Sequence, residues 1–175
     1  VAITFDDGYR DNVRYAAPLL ERHGLPATFF VATAIIGTDR PFPHDSREGS
    51  APIPAMDWDD VRSLRDAGFG VGSHTETHID CGRAPLEEVR RELVGSMATL
   101  QGELQLASMM FAYPYGGRDH ITPSARHLAI ELGFEACLSA YGGSNARLDR
   151  SDVRRKGIHH DFGLESLSGR IHGRA

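Results

Sequence analysis

The sequence is poor in several things that would otherwise define it. It holds one lysine, Lys156, so nearly all of its 19 basic residues are arginine. Against 24 acidic residues the formal net charge is −5, which excludes the basic excess of a nucleic-acid binder. The two cysteines, Cys81 and Cys137, make no CxxC or other metal spacing. Both sit near apolar segments and read as free buried thiols. Apolar runs are short, about six residues at most, far below the ~20 needed to span a bilayer. There is no internal repeat. No initiator Met and no signal peptide precede Val1, which leaves localisation unread and suggests a trimmed start.

What is present is ordinary globular material. The chain has 175 residues, 41% hydrophobic and 25% charged, enough for one domain with its own core and no structural metal. Short apolar runs alternate with amphipathic stretches. Strands are predicted at 1–5, 27–31, 69–72, 109–113, 134–139 and 153–159. Helices are predicted at 11–23, 58–67, 85–104 and 124–132, with Gly24, Gly68 and Gly133 as stops. The segment after Leu164 reads as a final amphipathic helix. This alternation implies a parallel α/β sheet, open or closed into a barrel. In such folds the C-terminal strand ends share one face, and that face holds the site.

One stretch breaks the rhythm. Residues 37–56 are polar and hold four of the nine prolines, Pro41, Pro43, Pro52 and Pro54. They read either as a solvated excursion or as a wall of a substrate groove.

The chemistry-bearing residues sit where strands end. Asp6-Asp7-Gly8 follows the first strand. His74 and His78 follow the third, spaced so that two imidazoles can meet one ion. Two His and one carboxylate leave coordination positions open, as a catalytic metal requires. A second carboxylate beside the ligand can take a proton from the attacking water. The spacing does not say which Asp does which.

Three motifs in order, Thr4-Phe5-Asp6-Asp7-Gly8, Ser73-His74-Thr75-Glu76-Thr77-His78 and Phe111-Ala112-Tyr113-Pro114-Tyr115-Gly116, resemble those of the polysaccharide deacetylases of the NodB-homology class (carbohydrate esterase family 4). The resemblance covers roughly residues 1–135. It implies a single NodB-like domain over 1–175, trimmed at one or both ends, folded as a distorted, incomplete (β/α) barrel related to the TIM barrel. It implies one divalent metal ion, zinc first, with cobalt or nickel also accepted, held by Asp7, His74 and His78. Asp6 would be the general base, and Thr75 and Thr77 would orient the backbone. The Tyr115 backbone N–H would help hold the oxyanion. The substrate would be an acetylated glycan losing an N-acetyl or O-acetyl group.

Two departures stand out. Many members carry Arg where this chain has Ala112, and Arg118, Arg150, Arg154 and Arg155 are the candidates to replace it. Many also carry a C-terminal Leu-x-His whose His is the general acid. Gly157-Ile158-His159-His160-Asp161 matches it loosely, making His160 the first candidate, His159 the second, and no acid at all the third. His23, His44, His120, His127 and His172 fall outside the motifs and read as structural or solvated. The alternatives to a deacetylase are a non-catalytic glycan-binding relative that keeps the metal triad, and a metal hydrolase of a non-sugar amide or ester.

Overall fold

The computed structural model describes residues 1–45, 53–158 and 162–172. Six strands, β1 (Ile3–Phe5), β2 (Ala27–Val31), β3 (Gly70–Ser73), β4 (Phe111–Ala112), β5 (Cys137–Ser139) and β6 (Val153–Arg154), form one sheet in sequential order. Every neighbouring pair is parallel. Parallel neighbours need a crossover, and helices fill most of them: α1 (Ala17–Arg22), α2 (Trp58–Asp66), α3 (Leu86–Leu104) and α4 (Pro123–Glu131). A fifth helix, α5 (Leu164–His172), follows β6. Sequential order curls the sheet in one direction, giving the expected incomplete barrel rather than a doubly wound sheet. No helix among the described residues is long and apolar enough to cross a membrane.

Local chemistry explains the boundaries. Pro18 has no N–H and crowds the carbonyl of Arg14, so the predicted helix from residue 11 cannot start as an α-helix. It winds first as a π-turn over Asn12–Ala16, with Ala17 N–H bonded back to Asn12 O, and becomes α1 only afterwards. At α2, Asp57 and Asp60 form a capping box, and Arg10 grips both carboxylates at 2.6 and 2.8 Å. Pro85 precedes α3 as its N-cap. The predicted 109–113 and 153–159 strands shrink to two residues each.

The sheet has two apolar faces. Phe29, Val31, Val71 and Phe111 pack outward against Leu64, Leu93, Leu100 and Leu128 of the helices. Between Phe29 and Val31, Phe30 turns to the barrel interior, where it meets Ala112 and Leu138. Both cysteines are buried and free, as expected, and burial pushes each thiol up to about 12.

The polar 37–56 segment is not a free excursion at its ends. Phe42 is fully buried with Ala32, Ile35 and Ala55, and Tyr9 packs on it. A short 3₁₀ turn, Pro43–Asp45, follows immediately.

Gly72 shows how tightly β3 is held. A Cβ there would meet the Phe30 ring at 2.6 Å and the Met110 carbonyl at 2.7 Å. Gly72→Ala is expected to cost about 1–3 kcal/mol by overpacking, read as a lower urea midpoint with unchanged slope.

Candidate metal and acid–base centre

The site forms where β1, β3, β4 and β6 release the chain at one edge of the sheet. Asp6 and Asp7 follow β1, His74 follows β3, Tyr113 to Gly116 follow β4, and Arg155 follows β6. The backbone is strained here. Asp7, Thr75, His78 and Tyr115 all have φ between 62° and 74°. Each non-glycine residue in this region costs about 1–3 kcal/mol and persists only where its surroundings hold it. The other such residue among those described, Gln105, is a helix C-cap.

Asp7 is the hub. Its Oδ1 lies 3.1 Å from His78 Nε2 and 3.3 Å from His74 Nε2. Its Oδ2 lies 3.4 Å from His44 Nε2. Burial alone would raise the Asp7 carboxyl, but the contacts to His44, His74 and His78 outweigh it and hold the group far below the usual carboxylate range. Burial also pushes the His78 imidazole down, against the pull of Asp7, which favours the neutral form a ligand needs. On His44 the Asp7 contact dominates over burial and raises the imidazole.

These donors fit a metal ion. Zinc bonds of about 2.0–2.1 Å put tetrahedral neighbours roughly 3.3–3.4 Å apart, and the Asp7–His spacings are 3.1 to 3.4 Å. His74 Nδ1 is 2.8 Å from the Ala112 carbonyl. That fixes the ring so that Nε2 faces Asp7. His74 and His78 side chains are each 2% exposed, and His78 Nδ1 is buried with no partner among the described residues. The three donors mutually within 4.8 Å come from Asp7, His44 and His78. Of the expected ligands, His74 and His78 both face Asp7 Oδ1, but the compact donor group takes His44 in place of His74.

The His loop is held from behind. Glu92 on α3 accepts hydrogen bonds from the N–H groups of Glu76 and Thr77, at 2.9 and 2.8 Å, and from the Thr77 hydroxyl at 2.7 Å. Thr77 thus ties its loop to Glu92 through both its N–H and its hydroxyl. Thr75 Oγ1 is buried with no partner among the described residues. Ser96 Oγ meets Ser73 Oγ at 2.7 Å. Glu92 and Ser96 lie on the same buried face of α3 as Val89 and Leu93. That intrusion of polarity into an apolar stripe was the available sign of their role.

Asp6 has a different partner. Arg155 grips it with a two-pronged fork, Nη1 to Oδ1 at 2.6 Å and Nη2 to Oδ2 at 2.7 Å. The same guanidinium donates to Thr4 Oγ1 and to the Ser139 carbonyl. Of the four arginines considered, Arg155 reaches the acid. Arg118 and Arg154 lie over the Tyr141 ring instead, while the Arg150 carbonyl receives the Cys137 N–H. The Ala112 side chain is fully buried with Phe30 and Leu138, and Arg155 reaches Asp6 from the other end of the sheet.

Tyr115 is 45% exposed. Its ring sits 4.8 Å from that of His78 and 4.9 Å from that of His120. His120 is not free in solvent, since its Nδ1 is 2.6 Å from Asp80 Oδ2. His120 is thus paired structurally, in keeping with its reading, whereas His44 stands against Asp7 and departs from the reading of it as structural or solvated. His159, His160 and Asp161 lie outside the described residues.

Replacing Glu92 removes the acceptor that orders the loop between the two histidines. Glu92→Ala is expected to weaken zinc binding by about 10–100-fold, measured by chelator competition.

Comparison with known proteins follows the geometry. The polysaccharide deacetylase family profile matches residues 1–137. The provisionally named polysaccharide deacetylase YxkH of Bacillus subtilis (strain 168) is 25% identical over 147 residues, 84% of this chain and 47% of YxkH. The chain thus spans about half the length of that curated relative. The Streptococcus pyogenes deacetylase PplD, solved in complex with acetate, superposes with a TM-score of 0.79 at 22% identity, covering 96% of this chain and 68% of PplD. IcaB from Ammonifex degensii superposes at 0.78 with 24% identity, covering 100% and 73%. These likenesses establish the incomplete barrel. With the profile spanning most of its length, this chain belongs to the polysaccharide deacetylase family.

Proposed function

We propose that the protein is a metal-dependent hydrolase that removes acetyl groups, N-linked first, from a poly- or oligosaccharide. The observation that carries this reading is the division between two adjacent carboxylates. Asp7 faces imidazoles, and Asp6 faces a guanidinium. Neighbours in sequence thus have separate environments, as two separate roles demand.

Asp7, His74 and His78 would hold the ion, most simply zinc, with cobalt or nickel fitting the same donors. When bound, such an ion polarises the acetyl carbonyl and acidifies water. Asp6 takes the proton from the attacking water. The Arg155 fork uses one lone pair on each Asp6 oxygen and leaves the others for that proton. Because the fork is planar and two-pronged, it fixes the plane of the carboxylate as well as its place. The Tyr115 backbone N–H, presented on a left-handed turn, would donate to the developing oxyanion. The exposed Tyr115 ring beside it offers a flat apolar face to the sugar. His160 stays the candidate acid for the leaving amine.

Acetate release from acetylated glucosamine oligomers and related glycans tests the reading. Release is expected, lost with chelator and restored by zinc. A zinc-loaded protein that frees no acetate from any acetylated glycan would contradict it. Arg155→Lys keeps the charge but not the fork. It is expected to lower kcat by about 100-fold with little change in KM, since a misplaced reacting group costs about that much.

A further inference from the structure

We propose that His44 is a fourth, displaceable protein ligand of the metal centre. The proposal rests on the metal reading above and goes beyond its three ligands. His44 arrives from a different part of the chain, on the short turn Pro43–Asp45 that follows the buried anchor Phe42. Its Nε2 lies 3.4 Å from Asp7 Oδ2, about the edge of a zinc tetrahedron. Its ring centroid is 4.6 Å from that of His78. With Asp7 and His78 it forms the compact donor group noted above.

The other two imidazoles are held differently. His74 and His78 are almost wholly enclosed, whereas the His44 side chain is 30% exposed. His44 also has a second seat. Its Nε2 is 2.9 Å from the Tyr9 hydroxyl. That hydroxyl donates its single proton to Asp45 Oδ2 at 2.7 Å, so toward His44 it offers only lone pairs and accepts from an Nε2–H. An imidazole cannot give the same Nε2 to an ion and to Tyr9. The two seats compete. On the ion, His44 closes a four-coordinate set of the kind structural zinc sites have. On Tyr9, it leaves the three-ligand set that catalytic sites have.

X-ray absorption of the zinc-loaded chain without substrate counts the imidazoles directly. Three are expected in the wild type and two in His44→Ala. Zinc affinity by chelator competition should fall in His44→Ala by more than the roughly 10–100-fold that loss of an outer partner costs. His44→Cys should restore a fourth ligand as a Zn–S bond near 2.3 Å, which separates ligation from damage to the turn. Tyr9→Phe removes the competing seat and should tighten zinc several-fold, whereas a His44 that merely steadied Asp7 would bind zinc no better without Tyr9's hydroxyl. Two imidazoles in the wild type, or unchanged affinity in His44→Ala, would overturn the inference. These readouts need no turnover. Three imidazoles without acetate release would sink the deacetylase reading and leave this one standing, and two imidazoles with release would do the reverse.

Discussion

A largely enclosed carboxylate with no lysine or arginine paired to it among the described residues is costly, and Asp7 is the group around which this structure is arranged. Its stabilisation comes from imidazoles on two distant segments, three of them, at 3.1 to 3.4 Å. Bringing them there requires left-handed backbone at Asp7 and His78. That in turn requires the Glu92 carboxylate behind the loop and the Ala112 carbonyl beneath His74. The hydrophobic core does the holding. α3 is fixed by Val89, Leu93 and Leu100, and Glu92 is aimed only because they are.

The second constraint is the open barrel. Among the described residues nothing pairs β1 with β6 in the sheet, yet Arg155 spans the gap from just beyond β6 to Thr4 and Asp6. It joins residues 149 positions apart and so couples the two ends of the sheet to the placement of Asp6. An incomplete barrel carries a specific advantage here. Its open side lets one side chain from just beyond the last strand reach Asp6, while Ala112 on β4 stays buried with Phe30 and Leu138.

Much of this was legible in the sequence. The 27–31 strand lands on its predicted ends, and the helix to Leu104 is offset by one residue at its start. Asp6, Asp7, His74 and His78 were found because short motifs at strand ends keep their chemistry local. His44, Glu92 and Arg155 were missed or left among several candidates, because each acts across long sequence separations. His44 depends on Phe42 finding a pocket with Ala32 and Ile35, and no local pattern encodes that. Arg155 was indistinguishable from Arg154 until strand register turned one inward and the other toward Tyr141. The π-turn before α1 is not anticipated, since the 11–23 stretch reads as one helix despite Pro18.

The central claim is that adjacent carboxylates divide the labour, Asp7 holding the ion and Asp6 moving the proton. Zinc affinity and acetate release measured side by side on Asp6→Asn and Asp7→Asn test it most directly. The account predicts that Asp6→Asn binds zinc like the wild type while kcat falls by about 10²–10⁴-fold, and that Asp7→Asn loses the zinc itself. Equal loss of zinc in both variants, or retained turnover in Asp6→Asn, would contradict it.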